Sequence, residues 1–222
     1  MTPKLSQKIS QAPLAQRCEH LLAVMSSERF LHMRGLNNDL PFYICEFPAS
    51  QATDIERLQR QLINTLQGLS VPSLGGRGIK VLEINLYDLC IELLQTREGS
   101  NDGTSLWDDI LRVEAEVDKD NLLELLQNVL GIEDYLIPAI AQRLRSSDHD
   151  VLFLCGIGEV FPYIRSHNVL NNLQSTAKDK PTVLFFPGEY RHSLAQGASL
   201  ELFGLLHDDK YYRAFNIFET QA

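Results

Sequence analysis

Four carboxylates, Glu46, Asp88, Glu159 and Glu189, stand at or just past the ends of apolar stretches with strand character. Acids gathered at strand ends can hold Mg2+ for phosphoryl chemistry, the chemistry of a phosphoesterase or nuclease. The ordinary alternative is that they cap helices and solvate turns. A second candidate is Gly156-Ile-Gly158-Glu159, which follows a strand and precedes a helix, the place of a dinucleotide fingerprint. Its third glycine position is Phe161, Pro162 follows, and no acid stands about 20 residues on to bind a ribose, so it reads as a strand-to-helix turn. The phosphate loop G-x-x-x-x-G-K-[ST] is absent. The first strand runs instead into Cys45-Glu-Phe-Pro-Ala-Ser-Gln51, without glycine or lysine and with Glu46 to repel phosphate. ATP hydrolysis is therefore not expected.

Weaker patterns fall away on spacing. Gly75-Gly-Arg-Gly78 precedes a strand instead of opening a helix, so it reads as a flexible connector. Ser175-Thr-Ala-Lys178 matches S-x-x-K but lacks the companion motifs. His20, His32, His149, His167, His192 and His207 show no metal-binding spacing, and Cys18, Cys45, Cys90 and Cys155 form no C-x-x-C pair. Each cysteine sits among apolar neighbours, as a core residue does. No catalytic residue, metal ligand or cofactor follows from these residues.

The elements that would position these groups alternate. Helical spacing marks 14–32, 51–69, 87–97, 105–145 (broken at Gly131 and restarting near Pro138) and 163–174. Strands are predicted at 40–47, 79–86, 151–155, 181–186 (ended by Pro187-Gly188) and 213–218, with 200–205 either a short helix or a strand. Strands separated by helices imply an α/β fold, a mostly parallel sheet of about five strands with helices on both faces. It would resemble a P-loop-type core without the nucleotide-binding motif. With 222 residues, the expected organisation is a flexible arm over 1–13 and a single α/β domain over 14–222. The net charge of −9, with no run of Lys or Arg, argues against nucleic-acid binding by the chain alone and permits a basic partner. No apolar run is long enough to span a bilayer, and the polar start lacks a signal region, so the cytoplasm is the expected compartment.

Two stretches combine aromatics, a single Arg and Gly/Pro turns at the sheet edge where open α/β folds bind their ligands: Gly156–His167, and Phe186–Tyr190 continuing to Arg213. Aromatics with Arg are what protein interfaces concentrate at their centres. Arg165, Tyr190, Tyr212 and Arg213 are the expected exposed contacts, and Gly156, Gly158, Pro187 and Gly188 would shape the loops. Glu159, Pro162, His167 and Phe203 complete the candidate surface.

The run Leu154-Cys-Gly-Ile-Gly-Glu-Val-Phe-Pro-Tyr-Ile-Arg-Ser-His167 resembles the signature of the BrxB family of bacteriophage-exclusion (BREX) systems. So do Asn168-Val-Leu-Asn-Asn-Leu173, Val183-Leu-Phe-Phe-Pro-Gly-Glu-Tyr190, Leu200-Glu-Leu-Phe203 and Tyr211-Tyr-Arg-Ala-Phe215. The resemblance implies a role in anti-phage defence beside a methyltransferase, a large ATPase and the alkaline-phosphatase-like protein PglZ. It implies a non-enzymatic assembly or adaptor subunit that binds PglZ, and it supplies no catalytic residue.

Overall fold

The computed structural model describes residues 9–34, 41–173, 175–193, 197–208 and 214–222. The sheet is built on five strands: β1 (Phe42–Phe47), β2 (Val81–Asn85), β3 (Val151–Cys155), β4 (Thr182–Ser193) and β7 (Phe215–Asn216). Their order is β2-β3-β4-β1-β7, and every pair in that path is parallel. β5 (Gly197–Leu202) and β6 (Leu206–Asp208) extend β4 as an antiparallel ribbon. The expected parallel α/β sheet is therefore present, with a hairpin added.

Side chains of a strand alternate between faces, and here that alternation divides the core in two. Phe42, Ile44, Ile84, Leu152, Leu154, Leu184 and Phe186 face one layer of helices: α4 (Leu86–Thr96), α5 (Leu106–Glu114), α6 (Lys119–Val129), α7 (Ile137–Ser146) and α8 (Ser166–Leu173). Tyr43, Cys45, Phe47, Val151, Phe153, Cys155, Val183 and Phe185 face the other, formed by α1 (Leu14–Met25), the short α2 (Glu28–Leu31) and α3 (Ala52–Gly68). α3 buries Ile55, Leu58, Leu62 and Leu66 at the three- and four-residue steps of an amphipathic helix.

The structure corrects several boundaries. The helix expected over 14–32 breaks at Ser26-Ser27, where the Ser27 hydroxyl accepts the Phe30 N–H and starts α2. The segment 105–145 holds three helices: Asp118 caps α6, and a π-helical turn over Ile132–Leu136 leads into α7, with Pro138 in its first turn. The helix expected from 163 begins at Ser166, and Gln174 lies outside the described residues. Of segment 200–205, Leu200–Leu202 end strand β5 and 203–205 form a turn, and the last strand shortens to Phe215–Asn216 before a 3-10 turn over Ile217–Glu219. The arm expected over 1–13 falls partly outside the described residues, and within it Ile9–Gln11 form a 3-10 turn.

The largest correction is at Pro187-Gly188, which does not end β4. β1 accompanies β4 as far as Phe47 opposite Pro187, and antiparallel pairing with β5 begins at Gly188 opposite Leu202. The dipeptide marks the crossing between sheets. Only glycine fits there, because a Cβ on residue 188 would lie 2.1 Å from the Glu201 carbonyl oxygen.

The loop read as a flexible connector also has a structural task. Arg77 donates twice to Asp150, through Nη1 at 2.6 Å and Nη2 at 2.8 Å, and the Lys80 N–H donates to the same carboxylate at 2.8 Å. This clamp fixes the start of β2 against the start of β3. The paired guanidinium holds the Asp150 carboxyl below its ordinary value, and the Lys80 N–H adds to the shift against the opposing effect of burial.

Candidate functional site

A cleft of about 630 Å3 opens at the carboxyl edge of the sheet. That edge is where strand ends and following loops diverge and leave a crevice. Its floor is Glu83, Asn85 and Cys155 from β2 and β3; one wall is Glu56, Gln59 and Arg60 of α3. The other wall is the glycine loop after β3, closed by Pro187 and Phe203.

The glycine loop is shaped by close packing. Gly156 has φ +75°, and a Cβ there would lie 2.2 Å from Asn85 Oδ1. That oxygen is already engaged, accepting the Tyr87 N–H at 2.8 Å as the cap of α4. A Cβ on Gly158 would meet Pro187 at 2.8 Å and the Phe203 ring at 3.1 Å. The loop then continues in turns to Ser166, so it does not itself open a helix. Gly156→Ala is expected to cost about 2–3 kcal/mol through left-handed backbone strain and displacement of the Asn85 cap, read as a lowered urea midpoint. An unchanged midpoint would contradict the packing account.

At the cleft rim the turn Phe203-Gly204-Leu205 joins β5 to β6. Phe203 has φ +58°, which bulky residues rarely adopt and which costs on the order of 1–3 kcal/mol. The Phe203 N–H donates to the Pro187 carbonyl at 2.8 Å, and its ring meets Phe161 edge-on at 6.2 Å between centroids. The same turn leaves Leu205 81% exposed and Phe203 37% exposed.

Electrostatically the cleft is acidic. Burial raises the Glu159 carboxyl, and Glu56 and Asp88 push it further. Cys155, whose Sγ lies 3.7 Å from Glu83 Oε1, is held as the thiol first by burial and then by Glu83. Burial pushes Cys45 and Cys90 up to about 12. None of these three thiols is poised as a nucleophile.

The four strand-end acids do not form one site. Asp88 and Glu159 share the cleft. Glu46 is engaged structurally, accepting from the Tyr190 N–H at 2.8 Å and from Asn216 Nδ2 at 3.1 Å, and Glu189 pairs with Arg191 at 3.0 Å. Among the described residues, no group of three His, Cys, Asp or Glu side chains is placed to hold a metal ion. Of the expected contact residues, the structure gathers Gly156, Gly158, Glu159, Pro187 and Phe203 at the cleft. Gly188 lines a second cleft on the other side of Phe203, with Arg17 and Gln51. Arg165 is exposed, but it bounds a separate groove with Tyr163 and Asn168. Pro162 packs beside that region, its carbonyl accepting from Gln127 Nε2 at 3.4 Å, and His167 sits half-buried on α8. Tyr190 is not an exposed contact: it is buried, and its hydroxyl donates to the Ala214 carbonyl at 2.6 Å. Tyr212 and Arg213 lie outside the described residues.

Sequence reasoning missed Gln59 and Arg17. Gln59 sits on the apolar stripe of α3 between Ile55 and Leu62, and an amide in that register was the available signal. Arg17 is 2% exposed, hydrogen-bonded to Gln51 Oε1 through Nη2, while its Nε and Nη1 have no hydrogen-bond partner.

The chain matches the family model described as "BREX protein BrxB" over residues 82–217. The chain belongs to the BrxB family. It is 30% identical over 207 residues to the BREX protein BrxB of Bacillus cereus (strain H3081.97), covering 92% of this chain and 97% of that relative. It is 23% identical over 204 residues to the BREX protein BrxB of Escherichia coli O9:H4 (strain HS), covering 92% and 91% respectively. No solved structure matches. The BrxB match takes in β2 through β7, and with them the glycine loop, the β4 crossing and the Phe203 turn. Family membership makes the chain a BREX component. No helix among the described residues is long and apolar enough to cross a membrane.

Proposed function

We propose that this BrxB protein is a non-catalytic assembly subunit that docks another BREX protein, PglZ, on the carboxyl edge of its sheet. The observation that carries the reading is the rim turn: Leu205 is 81% exposed beside Phe203, on backbone pinned to β4. Exposed apolar side chains on a rigid, strained turn are suited to burial against a partner. The adjoining cleft has no lysine for phosphate, carboxylates crowd it, and its cysteine is held as the thiol.

The test is co-purification of PglZ expressed from the same operon. The wild-type chain is expected to retain PglZ, and Leu205→Asp to reduce retention about tenfold. Arg165→Glu, in the neighbouring groove, is expected to weaken it less. Absence of PglZ and of every other BREX subunit from the wild-type preparation would overturn the proposal.

A further inference from the structure

We infer that the carboxyl-edge cleft receives an arginine or lysine side chain presented by a protein partner, an inference that rests on the assembly reading above. Two independent observations carry it. The first is uncompensated negative charge. Glu56, Glu83, Asp88 and Glu159 line the cleft against Arg60 and Arg143, and Arg143 is already paired with Glu92. None of these four carboxylates has an ion-pair partner among the described residues. The raised Glu159 carboxyl reflects both burial and this crowding. A cation entering the cleft would relieve the repulsion.

The second is Gln59. It is only 6% exposed and lines the cleft; its amide makes no hydrogen bond to another described residue, yet neither amide atom is fully enclosed, so the tip of the side chain opens onto the cleft. An amide that opens only onto the cleft can bond a group that enters it. Its carbonyl oxygen is an acceptor waiting for an N–H donor, which guanidinium and ammonium groups supply.

The occupant follows from the walls. The acids do not form a three-ligand metal set among the described residues, so the fitting cation is organic. Phe47, Ile55, Ile157 and Phe203 offer apolar surface to the methylene stem of a long basic side chain. A free polyamine would satisfy the acids but leave Leu205 bare, whereas a protein segment covers both.

The experiment uses the full-length chain and three variants. One is the cleft triple Glu56→Gln, Asp88→Asn, Glu159→Gln. Another is a charge-matched control on the exposed surface of α5, α6 and the turn between them, Glu114→Gln, Glu116→Gln, Glu124→Gln. The third is the charge-neutral Gln59→Leu. Anisotropy of fluorescein-labelled octa-arginine is expected to show about tenfold weaker binding to the cleft triple, less than about twofold change for the control, and about threefold weakening for Gln59→Leu. Equal weakening by both triples would reduce the effect to net charge and overturn the inference. Spermidine displacing the peptide at equal affinity would overturn the protein source. PglZ retention separates the two proposals. If the wild type and the cleft triple retain PglZ equally, the cleft inference falls and the assembly reading stands; if the wild type retains no BREX subunit, both fall.

Discussion

A fragment running from Val81 to Ala222 is expected to show no cooperative thermal transition by circular dichroism and to accumulate as insoluble protein, although it contains the whole family-matched segment. The reason is β1, which precedes that segment yet lies between β4 and β7. Removing it strips β4 of a parallel partner over the full register from Thr182 to Pro187 and leaves β7 unpaired. It also removes α1 and α3, so Val151, Phe153, Val183 and Phe185 lose the helices that cover them. Exposing each such side chain costs about 1.5–3 kcal/mol, which together approaches the 5–15 kcal/mol that holds a typical domain folded. A soluble fragment with a sharp unfolding transition would refute this account of the core.

Asp150→Ala is expected to lower stability by about 2–3 kcal/mol, a fall in Tm on the order of 5–10 °C for a chain of this size. The substitution leaves the Lys80 N–H without its acceptor and Arg77 without its carboxylate, at the join that sets β2 against β3. The pH dependence has a definite sign. The folded-state pKa of Asp150 lies below its ordinary value of 3.8, so its contribution is complete above that value and disappears as pH falls through the lower, folded-state pKa. Urea titrations at pH 7, 5 and 3 should show a constant gap between wild type and Asp150→Asn at the two higher values and a narrower gap at the lowest. A gap that widened on acidification would exclude the clamp as its source.

What was legible in the sequence was whatever depends on near neighbours. The strand Val151–Cys155 is read residue for residue because burial on both faces demands an unbroken apolar run. Alternation of strands and helices likewise announces a parallel sheet, and the motifs around Gly156 and Phe203 announce the family. Long-range pairing was not legible. Pro187-Gly188 looks like a stop until the approach of Glu201 is known, and Tyr190 looks like a contact residue until its hydroxyl is seen to reach Ala214. Gln59 and Glu56 belong to a helix whose pattern speaks only of amphipathicity; their place in the cleft depends on how α3 meets the sheet edge.

Strand β4 belongs at once to the parallel sheet and to the hairpin, as one unbroken run from Thr182 to Ser193. The ribbon beyond it is thus a cantilever built into the domain's interior, with no hinge at its root. The Phe203 turn sits at that root, bonded to Pro187, so a load on it passes straight into the backbone ladder between β4, β1 and β3, where many hydrogen bonds bear it in parallel.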